Sequence, residues 1–348
     1  MMQIAAEAGV SVTTVSHALS GKRPVNAETI ARIRRIVDDH GFVPNSGGIR
    51  LQSGRTRVIG LAVPDISHWY FGNIAKGVEQ VANERDYGLI ICGTMNADPR
   101  SEKRYFNMLR TRSIDGLVYT TSRSRTDLDE LVNVSRVSNL VFADEAIEAL
   151  PDVPAVTTTV REGARLVGEH LRDLGHTKAV VIAGYPGLNS TTERVAAFRE
   201  YFPNALTMFG DFEQQSGYDI VHDLLAGEVP FSCLFAHNDF MAIGAIRRLR
   251  ESGIRVPEDV SVVGFDDVDV ASFFTPPLTT VRKDMVEVGR RSAAILLGLI
   301  EGGPVEGTEA DAANAVLPVE LVIRGTTARA PETFVSVVSE RGRQALRV

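Results

Sequence analysis

Several short apolar runs in this chain end in polar residues able to hold a hydroxylated molecule. Asp65, then Tyr70 and Phe71, follow the run 58–63. Asn96 follows 89–92, Arg194 follows 179–182, Asn238 and Asp239 follow 234–236, and Asp266 and Asp267 follow 260–265. Carboxylates accept hydroxyl protons, a guanidinium donates to hydroxyl oxygens, an amide does both, and an aromatic ring offers an apolar face for stacking. Together they suit a sugar. Taken singly, Asp239 and Asp266 read equally as caps of the segments after them, and Tyr70 and Phe71 as core aromatics. What favours a site is that so many apolar runs end in this chemistry.

Other chemistries lack their residue patterns. His17, His40, His68, His170, His176, His222 and His237 show no metal-ligand spacing, and neither a Gly-x-Ser-x-Gly elbow nor a Walker-type phosphate loop occurs. Cys92 and Cys233 sit inside apolar runs and read as core thiols. The expectation is no metal, no cofactor and no catalysis. A hydrolase using Ser190 with His237 is the weaker alternative, because a nucleophile needs its base within reach in a cleft. No apolar run has membrane-spanning length and no signal-type leader opens the chain, so a cytoplasmic protein with no membrane partner is expected.

A second chemistry lies at the N-terminus. Small and apolar residues recur at helical spacing on both sides of Gly9, a helix-turn-helix pattern. Ser11 can cap the second helix, whose inner face is read as Val12, Val15 and Leu19 and whose polar face holds Thr13, Thr14, Ser16 and His17. Residues 1–57 carry eight basic and four acidic residues, a balance of +4, which leaves 29 basic and 40 acidic residues in the rest of the chain. A basic head attracts phosphate while an acidic body discourages nonspecific coating of DNA. Arg32, Arg34 and Arg35 alone fit a solvated helix face as well.

These residues need a scaffold. Candidate strands at 58–63, 89–92, 116–119, 140–142, 156–158, 179–182, 206–209, 234–236 and 260–265 alternate with helical stretches at 73–85, 102–112, 162–174, 193–201 and 240–252. Strands this apolar, joined by helices, imply parallel sheets covered on both faces, and their number implies two α/β lobes. Ligands of such sheets bind at the carboxyl ends of the strands.

At this point the chain resembles the lactose-repressor/galactose-repressor (LacI/GalR) family of bacterial transcription regulators. The resemblance is carried by Ala8-Gly9-Val10-Ser11 with Thr14-Val15-Ser16, by Gly41-Phe42-Val43-Pro44-Asn45, and by the run 59–67. Further matches are Gly175-His176, Asn238-Asp239 with Met241-Ala242, the run 256–267, and Pro277-Leu278-Thr279-Thr280-Val281. It implies an all-α helix-turn-helix head at 1–44 and a hinge helix at 45–57. It also implies a two-lobed α/β core like that of periplasmic sugar-binding proteins at 58–330, which the chain crosses between lobes three times. One lobe is assigned 58–158 and 284–305, the other 159–283 and 315–330, and 331–348 form a C-terminal tail without leucine heptads.

The resemblance also implies roles. Val12, Thr13 and His17 fall at base-reading positions, Thr14 and Ser16 nearer the phosphates, with Ser11, Asn26 and Arg50 counted in the DNA-binding set and Leu51 at the minor-groove wedge. Asp65, Tyr70, Phe71, Asn96, Arg194, Asn238, Asp239 and Asp266 fall in the effector-binding set. Three features depart from the family pattern: a first helix that opens without a Ser/Thr cap, His17 where Arg is common, and Thr159-Val160 where a polar pair is common. The implied function is a repressor: a homodimer on an inverted-repeat operator, controlled allosterically by a small ligand, most simply a sugar. A transport solute-binding protein shares the core but would carry a signal sequence in place of the head. Trp69, the single tryptophan, is expected to report lobe closure.

Overall fold

Gly9 turns the chain between the first two head helices with a φ of +63°, in the left-handed region that penalises residues carrying a Cβ. The three helices are α1 (Met2–Glu7), α2 (Val12–Ser20) and α3 (Ala27–Asp39). Ile4, Ala5 and Ala8, Val15 and Ala18, and Ile33 and Ile36 close their shared core. Ser11 Oγ accepts the Thr14 amide at 3.0 Å and Asn26 Oδ1 accepts that of Glu28 at 3.0 Å, which caps α2 and α3. Helix α1 has no side-chain cap. Val12 departs from its expected inner position: it is 42% exposed, because Val15 and Ala18 form the buried stripe of α2. The computed structural model describes residues 1–20, 23–40, 55–95, 98–121, 128–136, 138–302 and 314–332, and it divides into two units, Met1–Thr56 and Arg57–Val348.

The first lobe of the larger unit is a six-stranded parallel sheet built from β1 (Val58–Val63), β2 (Gly88–Gly93), β3 (Gly116–Tyr119), β4 (Asn139–Asp144), β5 (Ala155–Thr158) and β11 (Asn314–Leu317), in the order β11-β5-β4-β3-β1-β2. Alternate residues face opposite ways. Ile59, Leu61, Val118 and Val141 pack with α4 (Trp69–Glu84) and α12 (Met285–Glu301). Ala62, Leu117, Tyr119 and Phe142 pack with α5 (Pro99–Arg110) and α6 (Leu128–Ser135). Each wholly buried Leu, Ile, Val or Phe contributes about 1.5–3 kcal/mol, so both faces hold the sheet. Helices α4 and α12 approach closely through glycine: a Cβ at Gly77 would stand 2.0 Å from the Val286 carbonyl oxygen.

The second lobe is a four-stranded parallel sheet of β6 (Ala179–Ala183), β7 (Leu206–Phe209), β8 (Cys233–Ala236) and β9 (Ser261–Val263), in the order β7-β6-β8-β9. Helices α7 (Val160–Asp173) and α8 (Asn189–Arg199) cover one face, and α9 (Gln214–Ala226) and α10 (Asp239–Glu251) the other. A short α11 (Asp269–Phe273) follows β9, and β10 (Thr280–Lys283) pairs antiparallel with β12 (Val319–Val322). Among the described elements the chain passes between lobes three times, after β5, after β10 and between β11 and β12.

Four expectations are corrected. Residues 315–317 belong to the first lobe, because β11 pairs in parallel with β5. The strand expected at 260–265 keeps ladder pairing only over Ser261–Val263, since Gly264 N and Asp266 N turn to the carbonyls of Thr279 and Val281. Strands β10, β11 and β12 fall outside the candidate strands of the sequence. Trp69, Tyr70 and Phe71 form the first turn of α4 rather than a loop, and Trp69 is 61% exposed outside the cleft described next.

Candidate functional site

The carboxyl ends of β1 and β4 in one lobe meet the ends of β6, β8 and β9 in the other around a cleft of about 620 Å³ including its opening to solvent. Asp65, Tyr70, Phe71, Arg194, Asn238 and Asp266 all line it, so six of the eight effector-binding candidates are brought together. Asn96 lies outside the described residues.

Asp239 does not line the cavity. It is wholly buried, where its carboxylate accepts the Val268 amide at 2.8 Å and the Thr280 hydroxyl at 2.5 Å. Burial first, then Asp266, pushes its pKa well up. The neighbouring Asn238 caps α10 by accepting the Met241 amide at 2.9 Å and donates to the Phe212 carbonyl at 2.7 Å, anchoring a cleft-lining aromatic. Asp65 is held by its own turn, accepting from Ser67 N at 2.8 Å and Ser67 Oγ at 2.7 Å.

The floor is organised by a residue that the strand-end pattern missed. Lys283, at the end of β10, places its ammonium 2.6 Å from Asp144, donates to the Tyr70 hydroxyl, and lies 3.9 Å from Asp266. Burial opposes ionisation of Asp144, yet Lys283 holds its carboxyl below the usual range. Asp266 is raised to about 6 by burial, against the pull of Lys283 and Arg194. Glu145 is raised to about 7 by burial and by adjacent Asp144, and it accepts the Ser190 hydroxyl from the other lobe. Asp144 ends β4 and Glu145 follows it, at the same carboxyl edge that exposed the other candidates. Lys283 carries no such signal, because the four residues of β10 include Arg282 and Lys283 and form no apolar run.

The second lobe supplies donors that no described residue satisfies. Arg194, 4% exposed, donates from Nη1 to the His237 carbonyl at 2.6 Å and lies 4.0 Å over the Phe265 ring, while its Nε has no partner. His237 is wholly buried, and burial followed by Arg194 depresses its pKa well below the ordinary value, so the ring is neutral. Its Nδ1 accepts from Gly184 N at 3.4 Å, which assigns the proton to Nε2, and that atom also lacks a partner. Ser190 and His237 therefore do not form a nucleophile–base pair: one serves Glu145 and the other Gly184.

In the head, Ser11, Val12 and Thr13 are exposed at the start of α2, with Thr14, Ser16 and His17 half-buried along it. Ser11 and Thr14 share a hydroxyl hydrogen bond of 2.8 Å. Asn26 is exposed and engaged as the α3 cap, and Arg32, Arg34 and Arg35 are exposed along α3. Arg50 and Leu51 lie outside the described residues.

Comparison with known proteins follows the same division of the chain. The model for bacterial regulatory proteins of the lacI family matches residues 1–45, and that for the periplasmic binding protein-like domain matches residues 168–327. Over 332 residues the chain is 33% identical to the HTH-type transcriptional repressor PurR of Haemophilus influenzae, covering 92% of this chain and 96% of that one. The chain belongs to the LacI family. Among LacI-family structures, the lac repressor dimer bound to operator and the anti-inducer ONPF superposes with a TM-score of 0.81 at 27% identity, covering 93% of this chain and 98% of that one. A complex of the transcriptional regulator CelR with cellobiose gives a TM-score of 0.69 at 28% identity, covering 93% and 98%. The protein is thus a DNA-binding transcriptional regulator with a ligand-binding core. Among its described residues no helix is long and apolar enough to cross a membrane.

Proposed function

We propose that the protein is a homodimeric repressor whose affinity for an inverted-repeat operator is set by a sugar bound between the lobes. The observation that carries the sugar reading is the pairing of unsatisfied donors, Arg194 Nε and His237 Nε2, with carboxylates at Asp266 and Asp144 in one cavity. A buried donor without an acceptor costs about 1–3 kcal/mol, so a ligand that supplies oxygens recovers that free energy. A hydroxyl accepts from Arg194 or His237 and donates to a carboxylate at once. Adjacent hydroxyls of a sugar meet both demands, and Tyr70 and Phe71 offer ring faces.

A second copy of the chain is supported by apolar surface on the first lobe. Ile90 and Ile91, on the edge strand β2, are 38% and 50% exposed, and Met95 after that strand is 73% exposed. An uncovered apolar edge strand invites pairing with another molecule. The exposed start of α2 supports base reading by Val12, Thr13 and His17, and a dimer would present two such helices to half-sites about 34 Å or a multiple apart.

The test is a titration of the full-length protein on a palindromic duplex and on its scrambled counterpart, repeated with a panel of sugars and of nucleobases. Preference for the palindrome, altered by a sugar and by no nucleobase, is the expected result. A response to nucleobases alone would overturn the sugar assignment, and equal affinity for both duplexes would overturn the repressor.

A further inference from the structure

The cleft continues beyond the Glu145–Ser190 hydrogen bond. A second cavity, of about 930 Å³ including its opening to solvent, shares Asp144, Glu145 and Ser190 with the first. The separation between them is thus made where a carboxyl from one lobe meets a hydroxyl from the other, a side-chain contact that can be exchanged for bonds to a ligand. The remaining wall comes from Thr157 and Thr158 at the end of β5, the first turn of α7, and Asn189 and Glu193 of α8. This is the same carboxyl edge of the same sheet that forms the first cavity, the edge at which parallel α/β sheets hold ligands.

One wall residue has an unmet bond. Thr158 is 5% exposed and its hydroxyl has no partner among the described residues. The cations of this cavity are already engaged: Arg161 pairs with Glu200, and Arg165 lies 3.4 Å from Glu200 and 3.5 Å from Glu162. Glu162 and Glu193 also line it, so its charge disfavours a phosphate or a sugar acid.

We propose that this outer cavity is a second sugar subsite, and that the effector is an uncharged oligosaccharide of at least two rings, one in the cleft and the next beside Thr158. The inference rests on the sugar reading above. With such a ligand bound, Glu145 and Ser190 bond to the saccharide at the junction of the two rings instead of to each other.

The test is calorimetric titration of the full-length protein with ribose, glucose and galactose, and with cellobiose, maltose and lactose, on the parent and two variants. Thr158→Val removes the hydroxyl at nearly constant shape. Val316→Trp fills the outer cavity from β11, at a position 60% exposed where added bulk leaves the core intact. A disaccharide is expected to bind at least about tenfold more tightly than the best monosaccharide, and each variant to remove most of that advantage without changing monosaccharide affinity. Monosaccharides binding as tightly as disaccharides, or disaccharide affinity unchanged in Val316→Trp, would overturn the subsite and leave the sugar reading standing. Failure of every saccharide to bind would overturn both.

Discussion

Lys283 sets the charge balance of the cleft, and its position shows what a residue-level reading of the chain can and cannot see. Asp65, Tyr70, Phe71, Asn238 and Asp266 were legible because each stands just past an apolar run or at the start of the helix that follows, and Arg194 because it lies in the helix after β6. Lys283 was not, because one lysine beside Arg282 carries the signature of a solvated surface, and only the antiparallel pairing of β10 with β12 turns it inward. Asp239 shows the converse: its place after β8 was right for a ligand contact, but its carboxylate joins Val268 and Thr280 inside the lobe. Removing one member of a buried ion pair leaves the other charge uncompensated, at a cost of about 3–5 kcal/mol, whereas replacing both is far milder. Asp144→Leu should therefore lower stability in urea denaturation much more than Asp144→Leu combined with Lys283→Met. A double variant as unstable as the single one would show that the pair does not bear the charge balance.

Glu145 predicts a pH dependence of definite sign. Its folded-state pKa is raised from 4.5 to about 7, so its contribution to stability is fully present below pH 4.5 and is lost as pH rises through about 7. At about 1.4 kcal/mol per unit, the contribution is up to about 3 kcal/mol. The parent should thus lose stability between pH 5 and pH 8 relative to Glu145→Gln, whose side chain does not titrate. Parallel stability profiles for the two proteins, read by thermal melts across that range, would remove Glu145 as the titrating group.

At the scale of elements, the strands with unbroken apolar runs were legible and the short ones at the crossings were not. Strand β10 is Thr-Val-Arg-Lys and β12 is Val-Glu-Leu-Val, each four residues long, and each finds its partner only when the other crossing brings it alongside. Neither carries the long apolar run of a central parallel strand. The start of α4 was hidden for a different reason. His68 precedes it in an extended conformation without a side-chain cap bond, and three aromatic residues open the helix where capping chemistry normally announces one. As Trp69 is exposed and outside the cleft wall, its emission should change little on effector binding. Asn238, by contrast, joins two elements, capping α10 and holding the Phe212 carbonyl. Asn238→Ala should cost about 0.5–2 kcal/mol for the lost cap and weaken effector binding as well, since Phe212 lines the cleft. Calorimetry that found full effector affinity in this variant would separate Phe212 from the site.

For the whole molecule, the segregation of charge read from the sequence has a thermodynamic consequence. A basic head of net +4 before a body with eleven more acidic than basic residues confines phosphate attraction to the head, so operator affinity should fall steeply with salt while effector affinity should not. The two sites are joined by linkage rather than by shared chemistry. If the effector changes operator affinity by some factor, the operator must change effector affinity by the same factor and in the same direction, a coupling of about 1–3 kcal/mol in regulators of this kind. Arg194 separates coupling from DNA binding, because it lies buried in the cleft wall with a donor left for the ligand. Arg194→Ala should bind the operator without effector as the parent does, yet show no change when the effector is added. Equilibrium titrations in both orders decide the matter: for the parent, operator affinity with and without effector, then effector affinity with and without operator, should return equal factors. An operator shift that persists in Arg194→Ala would place the controlling ligand somewhere other than this cleft.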